Sequence, residues 1–226
     1  MLYDLVGDDD RRFSPNCWRA RLALAHKGLD CEARPTAFLD IPTICGGTQK
    51  AIPVIEDGDK VIAESFAIAE YLEDAYPDRP SLFGGAGGRA LTFHLNNWVN
   101  MAVHSGVARL IMLDVFEQLL PSDRDYFREN REGRFKMTLE QFQDRSDARV
   151  EQFRALFAPM RQTLARQPFL GGNEPLYADH LVAGALQWIR VASPFQALGA
   201  DDPVHAWFER VLDLYDGLAR GARTVA

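Results

Sequence analysis

The chain has 226 residues, 47% hydrophobic and 25% charged, enough for one large domain or two small ones around a substantial core. Its 32 acidic against 25 basic residues give a net charge of -7, which argues against nucleic acid as a partner, since phosphate binding needs a basic face. Three scattered cysteines and five histidines without ligand spacing argue against a disulfide framework and a metal centre.

In chain order, residues 2–6 read as a short buried strand and 8–12 as a loop. From Pro15 the apolar residues Trp18, Leu22, Ala25 and Leu29 recur at helical spacing, with Gly28 as a stop. Residues 30–36 read as a second strand and 38–45 as a weak helix. "AIPVIEDGDKVIAES" places two short apolar runs around Asp57-Gly58, a hairpin signature. Ser65 then opens an amphipathic helix through Phe66, Ile68, Ala69, Leu72 and Tyr76 that Pro77 ends. A β-α-β unit followed by a hairpin and a helix is a thioredoxin-like order. "PDRPSLFGGAGG" breaks the pattern with prolines and glycine pairs, and beyond it strand signals vanish.

Helical periodicity covers residues 89–120, 138–167, 177–191 and 203–218, while the charged 119–137 reads as irregular. There Arg128, Arg131 and Arg134 alternate with glutamates, which reads as a solvated face. No stretch approaches the ~18 apolar residues a bilayer crossing needs. No basic-then-apolar leader precedes "MLYDLV", so the expected setting is cytoplasmic, away from membranes. The fold class expected is α/β: a thioredoxin-like N-terminal domain over 1–83, a linker at 84–88, and an all-α C-terminal domain over 89–226.

The tetrapeptide Ser14-Pro15-Asn16-Cys17 has the spacing of a C-x-x-C redox pair with serine in the first place. Pro15 suits the first helical position and Ser14 the cap. A helix N-terminus favours an anion, which in C-x-x-C proteins is the protein's own thiolate. With Ser14 there, the anion comes from outside, and a hydroxyl donating to a bound thiolate would lower that thiol's pKa. A nucleophilic Ser14 would need a nearby base. His26 lies twelve positions along the same helix, about 18 Å away, and no G-x-S-x-G elbow is present. Read alone, Ser14 is equally a plain cap, and Cys17 a buried structural thiol.

"SPNCWRARLALAHKGL" followed by "KAIPVIEDGDKVIAESFAIAEYLEDAYPDRPSLFGG" resembles the glutathione-binding domain of cytosolic glutathione S-transferases. "PFLGGNEPLYADHLVAGALQW" looks like a helix start of the same family. Leu176 stands there where serine or threonine is expected, which leaves Asp179 without its capping-box partner. "FSPNCWRARLALAHKGL" and "DYFRENREGRFKMTLEQ" look most like the bacterial β-etherases of lignin breakdown and their fungal relatives.

The resemblance implies a homodimeric, serine-type glutathione transferase with glutathione as co-substrate and no metal or nucleotide. Ser14 would donate to the glutathione thiolate, assisted by Asn16. Pro53 would be cis, exposing the backbone of Ile52 to the cysteinyl part of the tripeptide. Glu64 would take the γ-glutamyl ammonium, Ser65 the γ-glutamyl carboxylate, and Lys50, helped by Gln49, the glycyl carboxylate. A hydrophobic electrophile would lie between the domains against the face carrying Trp98, Met101, His104, Ser105 and Ala108, with Met101 and Ser105 in contact. In the β-etherase case the thiolate displaces an aryloxide from the carbon beside an aryl ketone. His104 is then either a proton donor to the leaving phenoxide or a structural histidine. Two other readings stay open: a glutathione-binding carrier without turnover, and a thiol-dependent reductase using Cys17. "GGAGG" lacks the preceding strand of a dinucleotide cradle.

Overall fold

The computed structural model describes residues 1–225. Four short strands form one mixed sheet in the order β2-β1-β3-β4. The central β1 (Leu2–Leu5) is buried along its length and pairs in parallel with β2 (Ala33–Thr36). On its other side β1 runs antiparallel to β3 (Val54–Asp57), which forms the expected hairpin with β4 (Lys60–Ala63). Asp57 pairs with Lys60, so the loop is the two residues Gly58-Asp59. Gly58 takes φ +62°, which a side chain would resist.

α1 (Pro15–His26) follows β1, and α2 (Ser65–Ala75) follows β4. α1 ends where Gly28 turns left-handed at φ +61°. The preceding Lys27 is 1% exposed; its Nζ meets Glu73 Oε2 at 2.6 Å and donates to the Tyr76 carbonyl. One buried ion pair thus pins the end of α1 to the end of α2. The weak helix expected over 38–45 is instead a run of 3-10 turns, Phe38–Gly46, broken at Ile44 and Cys45, with Pro42 inside.

The rest is helical. α3 (Ala86–Trp98), a π turn (Val99–Val103) and α4 (His104–Glu117) run as one 32-residue rod. By length and composition this rod meets the bilayer criterion, which corrects the expectation that no stretch does. Its apolar side is core: Val99, Val103, Val107, Leu110 and Ile111 are fully buried. The segment expected to be irregular holds α5 (Arg124–Phe135). Its charged residues concealed a helical face.

The helix expected over 138–167 is instead three: α6 (Leu139–Phe142), α7 (Asp147–Ala155) and α8 (Ala158–Leu164). The first break comes where Gln143 turns extended, Asp144 N–H donates to the Arg109 carbonyl, and the Asp144 carboxylate accepts the Ser146 N–H. The second precedes Pro159, which belongs in a first helical turn. α10 (Pro203–Leu212) stops short of the expected 218, because Tyr215 and Asp216 adopt left-handed backbone.

α9 (Tyr177–Ala192) is buried on nearly every side and packs along α1. The approach is closest at Gly184, where an added Cβ would stand 2.5 Å from the Pro15 carbonyl oxygen. Leu176 has no side-chain acceptor, so only half a capping box exists at this helix start: Asp179 accepts the Leu176 N–H at 3.0 Å. The reciprocal side-chain partner is missing at Leu176, as expected, but Asp179 finds other donors. It also takes the N–H groups of Leu170 and Gly171 and Trp207 Nε1–H. Burial pushes this carboxyl's pKa up, and the four donors pull against it.

Candidate functional site

A cleft of about 740 Å3 opens between the sheet and helices α4 and α5. Its floor is the start of α1. Ser14 caps that helix in extended backbone, and its Oγ accepts the Cys17 N–H at 3.3 Å. Ser14 is 6% exposed and lines the cleft. Its hydroxyl can donate to the Cys17 sulfur, with which it is within hydrogen-bond reach, or to an acceptor in the cleft, since no oxygen or nitrogen among the described residues takes that proton. Asn16 lines the same wall. Cys17 does not: it is 1% exposed, and burial, then the nearby Asp4 carboxylate, push its thiol pKa far up.

Lys50 and Ile52 form the rim below. The Ile52–Pro53 peptide is cis, and the Ile52 N–H and C=O bond to nothing else among the described residues. The Pro53 carbonyl accepts the Glu64 N–H at 3.2 Å, bringing Glu64 and the start of α2 beside it. Glu64 takes φ +75°, a conformation that costs a non-glycine residue about 1–3 kcal/mol and gathers at functional sites. No side chain caps α2, so its first N–H groups stand open; Ser65, 5% exposed, sits among them. The Ser65 carbonyl is held from the helical half by Tyr177 OH at 2.7 Å. Gln49 lies beside Lys50, donating to Thr48 Oγ1.

On the opposite wall Ser105 lines the cleft, whereas Met101 is 78% exposed and lies outside it, because the π turn carries it outward. His104 lines the back. Its Nε2 meets Arg19 at 3.0 Å, and the same guanidinium donates to Asn96 Oδ1 and Asn100 Oδ1. Arg19 is 1% exposed and has no carboxylate partner among the described residues, and burial lowers its pKa to about 10. Burial, then the Arg19 charge, hold His104 well below its ordinary pKa. The imidazole is therefore neutral at pH 7, with Nε2 accepting from Arg19 and its one proton on Nδ1, and it is a poor acid toward a leaving group.

Sequence reading missed the outer half of the cleft. Phe127, Arg131, Arg134 and Trp188 line it, and Arg131 and Arg134 share one face of α5 with Phe127. The spacing 127–131–134 carries that signal once a helix is assigned there. A smaller pocket of about 270 Å3 between α9 and α10 holds none of the expected residues.

Two family models match this chain. "Glutathione S-transferase, C-terminal domain" matches residues 90–209, and "Glutathione S-transferase, N-terminal domain" matches residues 10–80. Glutathione S-transferase 1 of Dianthus caryophyllus is 34% identical over 111 residues, 47% of this chain and 50% of that protein. The chain spans about half the length of the curated relatives it matches first. Among solved structures, a glutathione transferase of Phanerochaete chrysosporium is 27% identical with a TM-score of 0.76, covering 96% of this chain and 91% of that one. A glutathione S-transferase of Ceriporiopsis subvermispora, solved in complex with glutathione, is 25% identical with a TM-score of 0.78, covering 95% of each.

Proposed function

This chain belongs to the glutathione S-transferase family, and on that premise we propose that it joins the thiol of glutathione to an electrophilic carbon of an aromatic compound held in the cleft. The observation that carries the proposal is Ser14. Its oxygen is fixed by the Cys17 N–H, its proton has only the weakly accepting Cys17 sulfur to compete with a ligand, and it stands at a helix N-terminus in the cleft floor. A thiolate placed there gains a charge-assisted hydrogen bond and the favourable helix end, so the thiol ionises at lower pH. Asn16 adds a second polar group.

The remaining residues suit the tripeptide. The open Ile52 backbone accepts an extended peptide as a further strand would. The uncapped start of α2 at Ser65 suits a carboxylate, Glu64 an ammonium, and Lys50 the second carboxylate. In the reaction the glutathione sulfur forms the new C–S bond and the leaving group departs with its electron pair. Aryl ethers beside a ketone are one candidate class, suggested by the likeness of "DYFRENREGRFKMTLEQ" to β-etherases. There an aryloxide leaves, and its proton comes from solvent because His104 is neutral.

A reductase acting through Cys17 is disfavoured by that thiol's burial and raised pKa. The carrier reading differs in turnover alone. The test is conjugation of 1-chloro-2,4-dinitrobenzene by the native chain, Ser14→Ala and Cys17→Ser. Losing a hydrogen bond to a charged group lowers kcat/KM of Ser14→Ala about 10- to 100-fold, while Cys17→Ser keeps conjugation. No conjugation by the native chain supports the carrier. Loss of activity in Cys17→Ser with retention in Ser14→Ala contradicts the proposal.

A further inference from the structure

The walls of the cleft carry Lys50, Arg109, Arg131 and Arg134, and no aspartate or glutamate lines it. That is unexpected in a chain of net charge -7. The four cations are not equivalent. Arg109 meets Asp144 at 3.7 Å, and Lys50 lies at the rim below α1. Arg131 and Arg134 form no ion pair among the described residues, and the one partner of Arg131 is the neutral Asn130 Oδ1.

Their neighbour on the same helix shows the contrast. Arg128 is bound by both Glu132 and Glu140. α5 therefore divides the arginine cluster: Arg128 is neutralised by two glutamates, whereas the half-buried Arg131 and the solvent-exposed Arg134 line the cleft without counter-charge. The expected solvated face thus holds at Arg134, while Arg131 is half-buried. Burial, then the charge of Arg134, hold the Arg131 guanidinium below its ordinary pKa, a mutual repulsion that an anion between them would relieve.

Aromatic side chains accompany these cations. The Arg131 guanidinium lies 4.8 Å from the Phe127 ring centre, and Phe38, Phe135, Phe142 and Trp188 complete an apolar wall. Trp188 Nε1–H has no acceptor among the described residues, but that atom is fully buried, so Trp188 adds its ring, not a donor, to this wall. An apolar slot ending in uncompensated donors suits a flat organic anion.

We propose that the electrophile is an aromatic carboxylate, with its ring against the aromatic wall and its carboxylate taken by Arg131 and Arg134. This rests on the conjugation reading above and extends it. The glutathione carboxylates do not account for the pair, because Lys50 and the start of α2 lie on the other domain. Arg131 and Arg134 thereby set specificity.

The test compares 4-chloro-3-nitrobenzoate with its methyl ester. For both, the glutathione sulfur bonds to the chlorine-bearing carbon and chloride leaves. Each kcat/KM is divided by the uncatalysed rate constant, which removes the difference in ring activation. The native chain should prefer the acid by about tenfold or more, the worth of one charge-assisted hydrogen bond. The Arg131→Gln/Arg134→Gln pair should bring that ratio near one, and Arg131→Lys should retain much of it. In parallel, calorimetry measures the affinity of both compounds with S-methylglutathione saturating. A ratio near one in the native chain, or one unmoved by the double substitution, overturns the inference and leaves conjugation standing. If neither compound is conjugated, the 1-chloro-2,4-dinitrobenzene assay decides the proposed function, and the calorimetry decides the anion site. Tighter binding of the acid, lost in the double variant, supports it; equal binding of acid and ester overturns it.

Discussion

At the scale of single residues the site depends on how closely α9 approaches α1. Gly184 faces the Pro15 carbonyl, where a methyl group would stand 2.5 Å from the oxygen. Replacing a helical glycine by alanine gains about 1 kcal/mol of propensity, whereas overpacking a close helix contact costs about 1–3 kcal/mol. The clash is with backbone, which cannot rotate away, so Gly184→Ala should lower the urea unfolding free energy. It should also raise the KM for glutathione, since Pro15 carries Ser14 with it. A net gain in stability would show that the helices separate freely. The Ser14 cap and the Pro15 first turn were legible in the sequence because they are local, while the cis bond at Pro53 followed only from the family resemblance. Arg131 and Arg134 were not legible, because interleaved charges look alike until a helix sorts them by face. Met101 was placed in the cleft from helical spacing, which a π turn shifts.

At the scale of elements, the two helices of the N-terminal domain are tied at their ends by Lys27 and Glu73. Burial would raise the Glu73 pKa, but hydrogen bonds from Lys27, Ser81 and the Leu82 N–H bring it below the ordinary value. A carboxyl lowered on folding stabilises fully above its unfolded pKa of about 4.3 and loses that contribution as pH falls through the folded value. The unfolding free energy should therefore drop on acidification below about pH 5. Glu73→Gln should reduce the slope and lower stability at pH 7 by about 3 kcal/mol, because it leaves Lys27 buried without a counter-charge. An unchanged acid slope would mean that other carboxyls carry the effect. The elements themselves were mostly legible: the hairpin from Asp57-Gly58, α1 from its apolar spacing, α9 from its unbroken apolar run. The breaks at residues 143–146 were not, since they arise from backbone bonds to α4 that no local pattern announces.

For the molecule as a whole, one core cluster runs through both halves, from Leu2 and Trp18 to Val107, Leu181 and Trp207. The order of elements sufficed to place a small sheet beside a helical unit, because periods of two and of 3.6 separate cleanly along the chain. Which faces meet does not follow from periodicity, and neither does what covers the remaining apolar surface. Leu91, Phe93 and Met101 are 74%, 53% and 78% exposed on α3 and the turn after it. Phe93 and Met101, about two turns apart on that rod, suit the second copy of the chain that the resemblance implies. Sedimentation velocity should find a species of two chains, and Phe93→Glu with Met101→Glu should shift it toward one. A native chain that stays single at every concentration would remove the dimer from the account.

The most direct test of the central claim is the titration of protein-bound glutathione, following thiolate absorbance in the ultraviolet for the native chain and Ser14→Ala. A hydrogen bond to the thiolate should place the bound thiol about 1–2 pH units below free glutathione in the native chain, with Ser14→Ala returning it toward the free value. A thiol that titrates at its free value in the native chain, or equally low in both, would contradict Ser14 as the activating group.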